Sequence, residues 1–127
     1  MKPFFAPQLC IKNGIRNVDF YIEAFGAKEL RRFSNNDGTI HVSELSIDGA
    51  LFHLHEETAH TRAFSPEKNN TTTVMIGLFV NDVDAVMKSA IAAGATVITP
   101  AQDYDYGYRQ GEIKDPHGHY WMIEKKI

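Results

Sequence analysis

The sequence of 127 residues holds a single cysteine, Cys10. A lone thiol closes no internal disulfide, which excludes a small secreted fold stapled by bridges. No apolar run approaches the roughly 20 residues that a membrane-spanning helix needs. The opening stretch carries one lysine and a few apolar residues interrupted by Pro3 and Pro7, and does not read as a leader peptide. A basic excess is missing too. Thirteen Lys and Arg stand against 16 Asp and Glu, a net charge of -3. That balance argues against a strongly basic nucleic-acid binder. P-loop, G-x-G-x-x-G and C-x-x-C patterns are absent, and no Ser-His-Asp arrangement stands out, so those chemistries have no support. The expectation is a cytoplasmic protein with neither nucleic acid nor membrane as a partner.

What is present is aromatic and apolar residues in regular patterns. Eight Phe, five Tyr and one Trp are too many for a disordered chain. A chain of this length folds as one domain, here 1–127, and buries about two-thirds of its unfolded surface. Residues 8–12 read as a strand. Ile15, Val18, Ile22 and Phe25 recur at helical spacing, which predicts a helix over 15–25 ended by Gly26. Strands are predicted at 28–33, 40–47 and 50–55, the last two joined by the hairpin signal Asp48-Gly49. Residues 57–72 are polar and aperiodic and are expected to form a long loop. The order then restarts. A strand is predicted at 73–80 and a helix over 83–93, capped by Asp82 and ended by Gly94. A short strand at 97–99 closes at Pro100, and 101–107 reads as loop. Strands at 108–114 and 120–124 flank the turn Asp115-Pro116-His117-Gly118.

The two halves match at an offset of 68 positions: Asn13 meets Asn81, Ile15 meets Val83, Val18 meets Val86, Ala24 meets Ala92, and Gly26-Ala27 meets Gly94-Ala95. This predicts an α+β fold of two βαβββ modules, about 6–56 and 73–127. Together they form a curved mixed sheet or partial barrel around a cleft, where small ligands usually bind.

The most telling residues are Val18-Asp19-Phe20-Tyr21 with Phe25-Gly26-Ala27, Val80-Asn81-Asp82-Val83-Asp84, and Ala93-Gly94-Ala95. Tyr106-Gly107-Tyr108-Arg109, running on to Asp115-Pro116-His117-Gly118-His119-Tyr120-Trp121, completes the set. In these motifs the chain resembles the vicinal oxygen chelate superfamily, also called the glyoxalase/bleomycin-resistance/dioxygenase fold. Its closing motif is similar to that of the small single-domain PhnB-like subgroup. The resemblance implies the paired-module fold, a small organic ligand and a homodimer. It does not choose among isomerases, epimerases, ring-cleaving dioxygenases, thiol transferases and non-catalytic drug binders.

Metal-dependent members hold a divalent ion with ligands from the first and fourth strands of each module, typically His and Glu. Carried over on Phe20-Tyr21, the Val80–Asp82 strand end and Asp115-Pro116, those places fall on Ala6, His53, Met75 and Met122. Alanine has no donor atom, and a thioether suits soft ions. A shift by two residues keeps the strand face and gives Gln8, His55, Gly77 and Glu124. The usual ligand set is therefore not retained and no cofactor is expected. The alternative is a divalent ion on His53, His55 and Glu124, since His-x-His on a strand puts both rings on one face. His117 and His119 sit in turn chemistry, and His119 is expected to bond backbone.

Strand alternation places the expected ligand-binding residues on the inner face: Gln8, His53, His55, Met75, Phe79, Tyr120, Met122 and Glu124. Arg109 joins them. Its planar fork either grips an anionic ligand at the cleft mouth or pairs with Glu112 or Asp115. Tyr104, Tyr106 and Tyr108 form either a stacking lid or a contact to a neighbouring subunit. Glu44 and Glu124 are candidate general bases. Cys10 has no neighbouring cation in sequence to activate it and reads as a buried small residue. The reading is a protein that binds a small organic molecule in the cleft. The alternative is a divalent-metal-dependent lyase, isomerase or dioxygenase with a degenerate site.

Overall fold

The computed structural model describes residues 1–60 and 62–127. The loop expected over 57–72 therefore includes one position, Thr61, outside the described residues. In chain order the elements are β1 Gln8–Ile11, α1 Asp19–Phe25, β2 Lys28–Ser34, β3 Ile40–Ile47, β4 Ala50–Glu56, α2 Pro66–Asn69, β5 Met75–Phe79, α3 Val83–Ala92, β6 Thr96–Tyr104, β7 Tyr108–Lys114 and β8 Tyr120–Lys126. The strands make two four-stranded sheets of the same topology, β1-β4-β3-β2 and β5-β8-β7-β6. In each, the first strand lies parallel to the fourth and the other pairs are antiparallel. No pairing among the described residues joins the sheets, so no barrel is closed.

Alternation explains the core. Leu9, Ile11, Leu45, Phe52 and Leu54 point from the first sheet, and Ile113, Trp121 and Ile123 from the second, into one buried cluster with Phe20, Tyr21, Val83, Met87 and Ala90 of the helices. Helices α1 and α3 pack against each other. Phe25 lies 4.7 Å from Trp121 and Tyr21 lies 5.4 Å from Phe52, centroid to centroid, so α1 touches residues of both sheets. Met87 reaches down onto Gly111, where a Cβ would sit 2.7 Å from its methyl carbon. A side chain at this position would force Met87 to shift.

One buried carboxylate ties the halves together. Asp115, 2% exposed, accepts from the Tyr21 hydroxyl (2.7 Å) and the Trp121 indole (2.9 Å) through Oδ2. Its Oδ1 accepts from the backbone N–H groups of His117 and His119 (2.8 and 3.1 Å). His119, expected to bond backbone, reaches across to the carbonyl of Cys10 on β1 (2.7 Å).

Three sequence expectations change. Helix α1 begins at Asp19 and not at Ile15. The Ile15 carbonyl accepts from Ile40 N (2.7 Å) and the Asn17 side chain accepts from Asp19 N, so these residues serve the strand and the turn, not the helix. The strand expected to close at Pro100 runs on to Tyr104. It is the edge strand, and its register shifts between Thr99 and Gln102, so a proline there breaks no ladder bond. The loop after β4 contains the short helix α2, capped by the Ser65 side chain on Glu67 N.

Candidate functional site

The faces of the two sheets turned away from the helices are open. In the first sheet, Gln8 sits beside His53 and Cys10 beside His55, with Glu44 opposite His53 and Val42 opposite His55. His53 and His55 share this face, and His53 Nε2 lies 4.0 Å from Glu44 Oε2. His55 Nδ1 lies 2.8 Å from the Glu56 carbonyl. A carbonyl only accepts, so Nδ1 carries the proton and Nε2 of the neutral ring is left to accept.

In the second sheet, Met75 pairs with Tyr120, Gly77 with Met122 and Phe79 with Glu124. Met75 and Phe79 are 45% and 57% exposed, while Glu124 is 8% exposed. Glu124 Oε1 accepts from Gln110 Nε2 (2.8 Å), and its other oxygen lies over Gly77, where a Cβ would come within 2.7 Å of it. The Tyr106 hydroxyl donates to the Gln110 side-chain oxygen, extending a relay from Glu124 to the tyrosine run. Tyr104 stacks on Tyr106 (5.3 Å), Tyr106 tilts on Tyr108 (5.8 Å) and Tyr108 meets Phe79 edge-on (6.0 Å). The tyrosines thus wall one end of this face.

Two cavities adjoin β1. One, of about 500 Å³, is lined by Gln8, Cys10, His55, Arg62 and Ala63. The other, of about 740 Å³, shares Gln8, Cys10, Arg62 and Ala63 and adds Phe64, Met75 and Gly77 among its walls. The Cys10 thiol donates to the Ala63 carbonyl (3.4 Å). Burial and the nearby Glu57 carboxylate push the thiol up from its ordinary value, which favours the neutral, hydrogen-bond-donating form.

One expected site residue is corrected. Arg109 lies on the helix-facing side, with its guanidinium held by Asp84 of α3 (2.8 Å) and Asp103 of β6 (3.0 Å). The reason is register. Gln110 pairs with Glu124 and Glu112 with Met122, so the open face takes the even positions of β7 and Arg109 points away. Neither Glu112 nor Asp115 is its partner. Gln8, His53, His55, Met75, Phe79, Tyr120, Met122 and Glu124 all lie on the open faces, four strands supplying them.

The donor set His53, His55 and Glu124 is divided between β4 and β8 of different sheets. Among the described residues no group of three or more His, Cys, Asp or Glu is placed to hold a metal ion. The buried carboxylate Glu56 is committed elsewhere. It accepts from Asn13 and Asn35 (2.8 Å each) and lies 2.9 Å from His41 Nδ1. Burial pushes its carboxyl up, but the bonds from Asn35, Asn13 and His41 more than offset this and hold it below the ordinary range. Arg62 and Gln110 escaped the sequence reading. Strand alternation extended to β7 would single out Gln110 and turn Arg109 to the other face. Arg62 lies in an aperiodic loop that offers no pattern to read.

These observations join with the comparisons. Residues 7–123 match the model of the Glyoxalase/Bleomycin resistance protein/Dioxygenase superfamily, and the chain belongs to that superfamily. An uncharacterised protein of Mycobacterium tuberculosis is 34% identical over 130 residues, covering 100% of this chain and 76% of that protein. Among solved structures, TioX from Micromonospora sp. ML1 superposes with a TM-score of 0.72 at 25% identity, over 98% of this chain and 100% of that one. A gene product of Arabidopsis thaliana gives the same TM-score of 0.72, identity of 25% and coverage of 98% and 100%.

Proposed function

We propose that this protein binds a small organic molecule on the open faces of its two sheets, without the divalent ion that metal-dependent members of the superfamily use. The observation that carries the reading is the mixed character of those faces. Met75 and Phe79 stand exposed beside the ordered polar groups of Glu124, Gln110, His53 and His55, with cavities of about 500 and 740 Å³ alongside. Apolar walls with a few placed polar groups suit an organic ligand. Gln8, Tyr120 and Met122 complete the binding set.

The same faces argue for a homodimer. Large apolar side chains on an open sheet face are covered when a second copy closes over them. We place the protein in the PhnB-like subgroup and in the cytoplasm, in keeping with its closing motif and single thiol. No helix of the described residues is long and apolar enough to cross a membrane.

The test is elemental analysis of protein purified without chelator or His-tag, followed by a thermal-shift screen of aromatic and acidic small molecules. Metal below about a tenth per chain, with ligands that raise the melting temperature and are released unchanged, supports the proposal. Close to one Zn, Ni, Mn or Fe per chain, lost in His53→Ala, overturns it in favour of the metal-dependent lyase, isomerase or dioxygenase.

A further inference from the structure

The sequence has five arginines. Arg16 donates to the Asp37 carbonyl (2.8 Å), Arg31 lies 4.4 Å over the Phe33 ring, Arg32 pairs with Glu29 and Arg109 with Asp84 and Asp103. Arg62 alone has no carboxylate, carbonyl or ring partner among the described residues. It lines both cavities beside β1. The chain just after it is tied down. Ala63 accepts from the Cys10 thiol, and Ser65 N donates to Glu57 Oε1 (2.6 Å). Arg62 thus stands beside an anchored segment and lines two adjoining cavities, sharing the smaller with Gln8 and His55 and the larger with Gln8, Phe64 and Met75.

We infer that these adjoining cavities take an organic acid, with its carboxylate on Arg62 where the two meet. The inference rests on the cleft-binding reading above and names its ligand class. A guanidinium presents a planar fork of donors that matches a carboxylate. With Nδ1 engaged by the Glu56 carbonyl, His55 offers Nε2 as an acceptor to a hydroxyl or N–H of the same ligand. Gln8 supplies an amide beside it, and Phe64 and Met75 cover the apolar body. The assignment also accounts for a thiol kept neutral at this spot: Cys10 anchors the segment that carries the cation.

The experiment is calorimetric titration of the full chain with 3-phenylpropionate, its neutral amide 3-phenylpropionamide and the cation 3-phenylpropylammonium, with backbone amide shifts read by NMR. A charge-assisted bond is worth about 1.5–3 kcal/mol, so the carboxylate should bind about tenfold or more tighter than the amide. Arg62→Gln should remove that advantage, and Arg62→Lys should keep part of it. Shifts should centre on Gln8, Cys10, His55 and Ala63. Carboxylate and amide binding equally, an unchanged preference in Arg62→Gln, or preference for the ammonium would overturn the inference while leaving the cleft reading intact. Absence of binding by all three probes up to about 10 mM would overturn the inference, while the cleft reading stands or falls by the metal analysis and ligand screen above.

Discussion

At the scale of single residues, the buried hydrogen-bonding groups decide behaviour. Asp115 satisfies four donors. Asp115→Asn replaces half of that acceptor with an amide N–H₂ facing the Tyr21 hydroxyl or the Trp121 indole. We expect a loss of about 3 kcal/mol, read by urea denaturation, because a buried donor left unpaired costs its full desolvation. His117 packs against the Tyr21 ring at 5.9 Å. Burial holds its imidazole below the ordinary value, against the opposing pull of Asp115 and Glu67. The unfolded chain therefore takes up this proton first as pH falls below about 6.5. Stability contributed by neutral His117 is present above that pH and declines below it. The melting temperature should drop between pH 7.5 and 5.5, and His117→Gln should show a smaller drop. Cys10, with its thiol pushed up, should alkylate with iodoacetamide more slowly at pH 8 than a free cysteine does.

At the scale of elements, α3 depends on its cap. The Asp82 side chain accepts from Ala85 N (3.0 Å) at the start of the helix. Asp82→Ala should cost about 1 kcal/mol, measured by thermal or chemical unfolding. That cap was legible in the sequence, as were β3 and β7, because alternation and turn residues act locally. The start of α1 was not. Ile15 has the spacing of a helix residue, and only its bond to Ile40, distant in sequence, draws it away. Pro100 misleads for a related reason: a proline is a barrier inside a sheet and harmless at a bulged edge, and sequence alone does not say which strand is the edge. The site follows the same division. The inner face of β4 and β8 was readable from alternation. On β7 the face is fixed by pairing with β8, where Gln110 meets Glu124 and Arg109 meets Lys125, and this long-range register turns Arg109 away from the open face. Arg62 came to the cavity through the Cys10–Ala63 contact, 53 positions apart, which no local pattern encodes.

At the scale of the molecule, the internal repeat became two sheets of one topology, and the offset of 68 positions survives at the helix ends, where Gly26 and Gly94 both take positive φ (66° and 114°). The halves nevertheless divide their labour. The first carries the imidazoles and the second carries the thioethers, tyrosines and Glu124. If a second copy covers these faces, sedimentation equilibrium should give the mass of two chains, and Phe79→Glu should shift it toward one by placing a charge on the exposed apolar face. A monomer at micromolar concentration in the unmutated protein would contradict the dimer.

The bond between Tyr21 and Asp115 spans 94 positions of the chain. Synthesis from the N-terminus delivers the phenol long before its acceptor exists. Until then Tyr21 must either stay in water, leaving the first half without its central side chain, or be buried with nothing to receive its proton. Both choices penalise early closure, and long-range closure is slow. The first 72 residues made alone should accordingly fail to fold, and the nascent chain should remain protease-sensitive until the last turn has left the ribosome.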